Sequence, residues 1–398
     1  MRTHLKLRAI KNRFLIITLF LFFVLSFTSC SPSCKKTVAV DDKEEIVEAK
    51  EIFVVAEKQK AKAIDDYFTK INKIGVFNGN VLVAQRGKVI FQKSYGYKDI
   101  RTKEPLELSS VFQLGSVSKQ FTAVAILQLY EQGKLDLQDS IQRFIPDFPY
   151  KGITLHMLLC HRSGLMNYIY YCDAHYHHKE EKPLSNKMVI QCLIDSFPKP
   201  YFPPNKRFNY SNTGYMLLAR IVEIVSGEHF GDYVKKNLFE PLKMKDSYVF
   251  NLNRPYKSPY LVKGYEYGRV EANPDFLDGA VGDKGVYSNL HDLYLWDQGL
   301  YQNKIIKRET LELAFKPYGK PLRAHKNYGY GFRIYHRPDS TRVIYHAGWW
   351  HGYQSLLVRY EKDSSTVVVL KNKRNRLVIE QDKILDILEI DFRDSLKQ

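Results

Sequence analysis

The chain has 398 residues, of which 44% are apolar, 14% aromatic and 26% charged, enough to bury a large core and too hydrophobic for a disordered tail protein. Its formal charge is +17, but Arg2, Lys6, Arg8, Lys11 and Arg13 precede every acidic residue, and without them the chain is still basic at +12. That charge is scattered, with no long Lys/Arg run, so it reads as a solvated surface facing an anionic envelope and argues against a nucleic-acid partner.

In chain order, a basic stretch, an apolar run from Phe14 to Phe27 and the small pair Thr28-Ser29 have the arrangement of an export signal. The run is short for a membrane span. Phe27-Thr28-Ser29-Cys30 resembles a bacterial lipobox, with Phe27 where an aliphatic residue is usual. That resemblance implies removal of residues 1–29, lipidation of Cys30 and a cell-envelope location, anchored to a bacterial membrane on the periplasmic or outer-surface side. Residues 30–48 are short, polar and charged and read as a tether, which leaves 49–398 for the folded domain. With Cys30 and Cys34 in the tether, only Cys160, Cys172 and Cys192 remain, so the chain is no disulfide scaffold. Spacing leaves one bridge among the three open.

A helical pattern with mixed charges covers Val47 to Ile74, and Asn80 to Tyr95 gives two β-rich runs broken at Gly87, a hairpin. After Ser116, QFTAVAILQLYEQGKL is apolar on nearly every side until Glu131, with Gly133 as a stop signal, and predicts a buried helix. Residues 135 to about 300 are richer in helix patterns, among them GYMLLARIVEIVSG, with loops at Pro198 to Asn205 and Tyr256 to Asp283. The last hundred residues change period: YGYGFRIYHRP, TRVIYHAG, QSLLVRYEKD and STVVVLKNKR predict an antiparallel meander, and Leu377 to Phe392 a helix lying on it. The expected fold class is α+β: one antiparallel sheet built from both chain ends and flanked by helices, with an inserted helical lobe.

Ser-x-x-Lys occurs at Ser33, Ser116 and Ser196. A serine hydroxyl needs a base within hydrogen-bond reach, and a lysine three residues on along a helix lies on the same face. An amine serves as a base only when uncharged, a form that burial favours. Ser33 lies in the tether and Ser196 runs into Phe197-Pro198, where proline forbids a helix interior. Only Ser116, with Lys119, opens a strong helix, whose free N–H groups would also stabilise an oxyanion. Two motifs follow in order: Tyr210-Ser211-Asn212 before a helix, and His346-Ala347-Gly348 at the end of a strand. Tyr301-Gln302-Asn303 also fits Tyr-x-Asn but sits in a surface turn after a helix.

At these residues the chain resembles the serine β-lactamase and penicillin-binding protein superfamily, and most closely its class C branch with DD-peptidase, D-aminopeptidase and esterase relatives. The resemblance extends through Asn80 to Lys119, MLLCHRSGL (157–165), RFNYSNTGYMLLARIVEIVSG (207–227), Pro241-Leu242-Lys243-Met244, GAVGDKGVYSNLHDL (279–293) and YGYGFRIY (328–335). It implies a β-lactamase/transpeptidase-like fold and a secreted serine hydrolase working through an acyl-enzyme, with no metal or organic cofactor. By that resemblance Ser116 is the nucleophile, Lys119 takes or relays its proton, Tyr210 serves the leaving group and deacylation, and Asn212 orients substrate. His346 stands where many β-lactamases carry lysine, and the amides of Ser116 and Trp349, next to Ala347-Gly348, form the oxyanion hole. Histidine there ranks D-amino-acid peptides and small esters above β-lactams, with transfer to an amine as a second outcome of acylation. Pro204-Asn205 replaces the family's usual Pro-Gly, and Trp349, Trp350 and His351 replace smaller residues, either as an aromatic wall or as packing.

Residues 156–178 hold His156, Cys160, His161, Cys172, His175, His177 and His178, but their spacing matches no compact zinc ligand set and reads as a polar, aromatic insertion near the cleft. A non-catalytic envelope receptor keeping the fold is the alternative from another class, and the complete set of catalytic residue types argues against it. An α/β-hydrolase would need Gly-x-Ser-x-Gly, which the chain lacks.

Overall fold

The computed structural model describes residues 42–176, 183–252, 258–322, 325–337, 340–375, 384 and 386–388. The leader, Cys30 and most of the expected tether lie outside them. Two compact units are distinguished, Met1–Phe53 and Val54–Gln398; in the first, residues 42–53 are helical, and the second holds every other described residue.

Helix α1, Asp42–Lys73, begins five residues before the pattern at Val47 and ends with Lys70 and Lys73 in its last turn, the signs that favour a helix dipole. Strands β1 (Gly79–Gln85) and β2 (Lys88–Tyr95) form the expected hairpin. Its two-residue turn, Arg86-Gly87, has φ of 53° and 70°, the left-handed pair that matches strand twist. Short strands β3 (Tyr97–Asp99), β4 (Glu104–Pro105) and β5 (Phe112–Gln113) lead to the buried helix α2 (Ser118–Glu131), which stops at Gln132-Gly133 with Gly133 at φ 67°.

The middle of the chain contributes helices α3 (Leu155–Leu159), α4 (Tyr168–His175), α5 (Asn186–Ser196), α6 (Asn212–Ser226) and α7 (Phe230–Val234), then strands β6 (Tyr248–Val249) and β7 (Val286–Ser288) and helices α8 (Leu290–Tyr301) and α9 (Arg308–Ala314). The meander follows as β8 (Lys326–Tyr328), β9 (Arg333–His336), β10 (Arg342–Trp350), β11 (Tyr353–Tyr360) and β12 (Ser365–Lys371). The main sheet runs β2-β1-β12-β11-β10-β9-β8, so pairing of β1 with β12 joins the two chain ends as the sequence predicts.

Both faces of this sheet are covered, which explains the unbroken apolar run in β12. Val81, Val83, Val367 and Val369 face one cluster with Phe68 of α1 and with Ile384 and Leu388, the described part of the closing segment. Leu82, Val368 and Leu370 face the larger cluster built on α2, α6 and α8. Helix α2 is buried nearly all round because it lies at the centre of that cluster.

Candidate active site

Ser116 lies in a short 3-10 turn, Gly115–Val117, that runs directly into α2, and it is partly open to solvent while Lys119 is fully buried. Lys119 Nζ is 3.1 Å from Ser116 Oγ, 2.8 Å from Asn212 Oδ1 and 2.7 Å from the Asp283 carbonyl oxygen. The last two atoms can only accept. An uncharged amine has two N–H groups, so donating both to them leaves its lone pair for the proton of Ser116.

The helix is held in register on both sides. Ser118 Oγ accepts from the Val286 N–H at 3.0 Å, Thr122 Oγ1 donates to the Gly282 carbonyl at 2.7 Å, and Gly331, at φ 81°, lets the β8–β9 turn approach so closely that a Cβ would stand 2.7 Å from the Lys119 carbonyl oxygen.

The Tyr210 ring lies 5.0 Å from Lys119 Nζ, and among the described residues its hydroxyl has no hydrogen-bond partner. The loop carrying it is pinned by His161: the Asn209 N–H donates to the His161 carbonyl at 2.8 Å, the Ser211 N–H donates to His161 Nδ1 at 3.2 Å, and the imidazole packs on the Tyr210 ring at 4.2 Å. Burial, with Lys119, His346 and Arg333 nearby, holds His161 well below the usual histidine range, so it is neutral. Asn205 in the same loop has φ 60°, the conformation that makes glycine usual there, and Arg162 Nε donates to its side-chain oxygen at 2.7 Å.

His346 stands behind this wall rather than in the cleft. Its ring is fully buried, with Nδ1 2.8 Å from the Ala347 carbonyl and Nε2 3.0 Å from Tyr328 Oη. Because the carbonyl only accepts, Nδ1 carries the proton and Nε2 accepts from the Tyr328 hydroxyl. Burial first, then Arg333 and Lys119, push the imidazole well below its ordinary range, so it brings no charge to the site. The cation on this side is Arg333 of β9, whose guanidinium lies 5.4 Å from the Tyr210 ring centre and 5.7 Å from that of Tyr328, with no carboxylate partner among the described residues.

These groups open onto a cleft of about 640 Å³ lined by Ser116, Tyr210, Asn212, Ala347, Gly348 and Trp349 from the sequence reading, and by Arg333, Asp283, Lys284, Gln354 and Lys371, which that reading did not single out. Gly115, at φ 51°, abuts Trp349 so tightly that a Cβ would be 2.7 Å from its amide nitrogen, which brings the backbone at Ser116 beside that of Trp349. The aromatic pair divides its roles: Trp349 is 43% exposed and walls the cleft, whereas Trp350 is buried and donates from Nε1 to Asp278 at 2.8 Å. Lys284 is also buried, donating to the Tyr168 hydroxyl and the Ala280 carbonyl, each at 2.7 Å, while Tyr168 donates to the Asp283 carboxylate at 3.2 Å. Arg333 sits in a segment already read as a strand, but one arginine on a strand carries no signal until the register is known.

The remaining motifs disperse. Ser196 ends α5 and donates to the Cys192 carbonyl, Phe197 beside it is left-handed at φ 41°, and Tyr301 packs against Arg359 at 3.9 Å and donates to the Tyr360 carbonyl at 3.3 Å. Ser33, His177 and His178 lie outside the described residues. His156 pairs with Tyr330 Oη at 2.7 Å, His161 is spent on the Tyr210 loop and His175 is capped onto the Tyr171 carbonyl at 2.9 Å, so these three do not converge. Cys160, Cys172 and Cys192 are free thiols.

The Beta-lactamase family profile matches residues 64–391. A penicillin-binding protein of Bacillus subtilis (strain 168) is 35% identical over 340 residues, 81% of this chain and 74% of its own length. A teichoic acid D-alanine hydrolase of Staphylococcus aureus (strain NCTC 8325 / PS 47) is 28% identical over 393 residues, 94% of this chain and 93% of its own length. Among solved structures, a penicillin-binding protein from Bacillus halodurans superposes with a TM-score of 0.71 at 24% identity, covering 81% of this chain and 98% of that one.

Proposed function

The chain belongs to the beta-lactamase family and is a serine hydrolase, and we propose that residues 49–398 use Ser116 to form an acyl-enzyme from amide or ester bonds of D-amino-acid derivatives. The observation that carries this reading is the Lys119 amine, 3.1 Å from Ser116 Oγ with Asn212 and Asp283 taking its two other hydrogen bonds. As Oγ attacks the carbonyl carbon, its proton passes to Lys119 Nζ, and the developing oxyanion accepts from the N–H groups of Ser116 and Trp349. Collapse breaks the C–N or C–O bond, and Tyr210 delivers a proton to the leaving atom. Water then attacks the acyl carbon, loses a proton to the same groups and releases Ser116; an amine in its place gives transfer.

Asn212 orients the substrate, Ala347 and Gly348 line its path, and His346 acts at one remove by fixing Tyr328 behind Tyr210. Arg333 supplies the positive charge on the Tyr210 side, suited to a carboxylate on the leaving group. A neutral, buried His346 in place of a lysine supports D-alanyl peptides and esters ahead of β-lactams, and the name of the Staphylococcus aureus relative, a teichoic acid D-alanine hydrolase, supports a D-alanyl substrate. The leader supports export and lipid attachment at Cys30, with the protein held in the cell envelope; no helix among the described residues is long and apolar enough to cross a membrane. Mass spectrometry of the mature N-terminus tests this, and an unlipidated Cys30 in an exporting bacterial host would refute it.

Purified protein lacking residues 1–30 tests the activity against D-alanyl peptides, D-alanyl esters, muropeptides, p-nitrophenyl esters and nitrocefin, with a fluorophosphonate probe for the nucleophile. The expected result is labelling and turnover of D-alanyl substrates, both abolished by Ser116→Ala. Labelling that survives Ser116→Ala overturns the assignment of the nucleophile, and efficient nitrocefin hydrolysis with negligible peptidase and esterase turnover overturns the substrate ranking.

A further inference from the structure

Across the end of the sheet, Trp349 of β10 lies opposite Gln354 of β11, and Gln354 lies opposite Lys371 of β12. Directly opposed residues of antiparallel strands share a face, and strands are about 4.8 Å apart, so the row places Lys371 about 10 Å from Trp349. Two residues away from each of the first two, Ala347 and Leu356 share that face and line the same cleft, giving it an apolar floor.

Lys371 is only 1% exposed, yet it lines the cleft and has no carboxylate partner among the described residues. Its Nζ donates to Gln354 Oε1 at 2.9 Å and to Asn375 Oδ1 at 2.9 Å. An ammonium has three protons, so one is left without an acceptor in the described structure. Both acceptors are neutral amides, which hold the group in place without balancing its charge, and a buried unpaired charge is costly. Burial and the neighbouring Lys373 push Lys371 down to about 8. Neighbouring cations are already engaged: Arg374 pairs with Glu266 at 2.8 Å and stacks on the Trp349 ring at 4.1 Å, and Lys373 donates to the Gly75 carbonyl at 2.7 Å.

We infer that Lys371, held by Gln354 and Asn375, is an oxyanion subsite for the acyl side of the substrate. This rests on the reading of Ser116 as nucleophile and of the Trp349 amide as oxyanion donor. The side follows from sheet order: Arg333 on β9 and Lys371 on β12 flank β10 from opposite directions, and Tyr210, which serves the leaving group, is on the Arg333 side. The preferred acyl group therefore has an apolar body over Ala347 and Leu356 and an acidic terminus on the Lys371 side of the scissile carbonyl, two strands across from β10. A carboxylate and a phosphoryl group share the chemistry this site recognises.

The test compares N-glutaryl-D-alanine p-nitroanilide, whose acyl chain ends in a carboxylate, with the neutral N-pentanoyl analogue of the same chain length. In wild-type protein kcat/KM should favour the glutaryl substrate at least tenfold, mainly through KM. The ratio should fall to within twofold of unity in Lys371→Met and persist in Lys371→Arg, which also controls for folding. Equal kcat/KM in the wild type, or a preference that survives Lys371→Met, overturns the subsite. Calorimetric binding of glutaryl- and pentanoyl-D-alanine amides to Ser116→Ala, with and without Lys371→Met, reads the same ratio without chemistry. Absent turnover with a preserved binding preference would therefore fail the hydrolase reading alone, whereas equal affinities would fail the subsite alone. A 4-phosphonobutanoyl-D-alanine amide that binds Ser116→Ala more tightly than the glutaryl amide assigns the site to a phosphoryl group, and weaker binding assigns it to a carboxylate.

Discussion

Single side chains in this site are defined more by their partners than by their type. Of three histidines near it, His161 and His346 are buried and neutral, whereas His351, read from sequence as wall or packing, is charged. His351 Nε2 lies 3.0 Å from Asp278 and 3.8 Å from Asp275. Burial alone would push its imidazole down, but the hydrogen bonds and charges of Asp275 and Asp278 carry it up to about 9. Its folded pKa therefore exceeds the unfolded value of about 6.5, so its stabilisation is complete below about pH 6.5 and is lost as pH rises through 9. Thermal midpoints measured from pH 6.5 to 9.5 should fall more steeply in wild type than in His351→Gln. Parallel slopes in the two proteins would show that the pair does not contribute.

Among elements, the 3-10 turn before α2 decides whether the candidate nucleophile meets the candidate oxyanion amide. A Cβ at Gly115 would lie 2.7 Å, 2.9 Å and 3.0 Å from the nitrogen, carbonyl carbon and oxygen of Trp349, backbone atoms that cannot turn aside, and φ there is 51°. Gly133, at φ 67°, has nothing within 4 Å of such an atom. Gly115→Ala and Gly133→Ala share a backbone strain of about 1–2 kcal/mol. Only Gly115→Ala should also slow fluorophosphonate labelling, by about tenfold or more, as it separates the turn from β10. Equal labelling rates in the two variants would show that the close approach has no bearing on the site.

For the molecule as a whole, the sheet and the helical layer are tied by a buried ion pair. Arg359 Nε of β11 lies 3.2 Å from Asp297 Oδ1 of α8, both almost fully buried, and Thr366 of β12 donates to the other carboxylate oxygen. Removing one partner leaves an uncompensated charge in the core. Denaturant unfolding of Asp297→Leu should show a loss of about 3–5 kcal/mol, most of it recovered in Asp297→Leu/Arg359→Leu. A double variant as unstable as the single one would show that the site lacks room to repack and that charge is not the cause.

The sequence by itself determined the element types, their order and the pairing of Ser116 with Lys119, because hydrophobic period, turn residues and the three-residue helical spacing are local properties; Tyr210 and Asn212 are singled out through the resemblance to the family. Joining of the chain ends was legible too, since a hairpin and a meander bracket a helical middle. Tertiary structure alone decided what surrounds those residues. Asp283 completes the Lys119 amine through a backbone carbonyl, which no residue type announces. His346 faces inward and Arg333 outward only because of strand register, where a shift of one residue exchanges the two faces of a sheet. Lys371 becomes a buried cation beside Trp349 only once β10, β11 and β12 are aligned, and such cross-strand proximity, unlike periodicity, is written nowhere in the order of the chain.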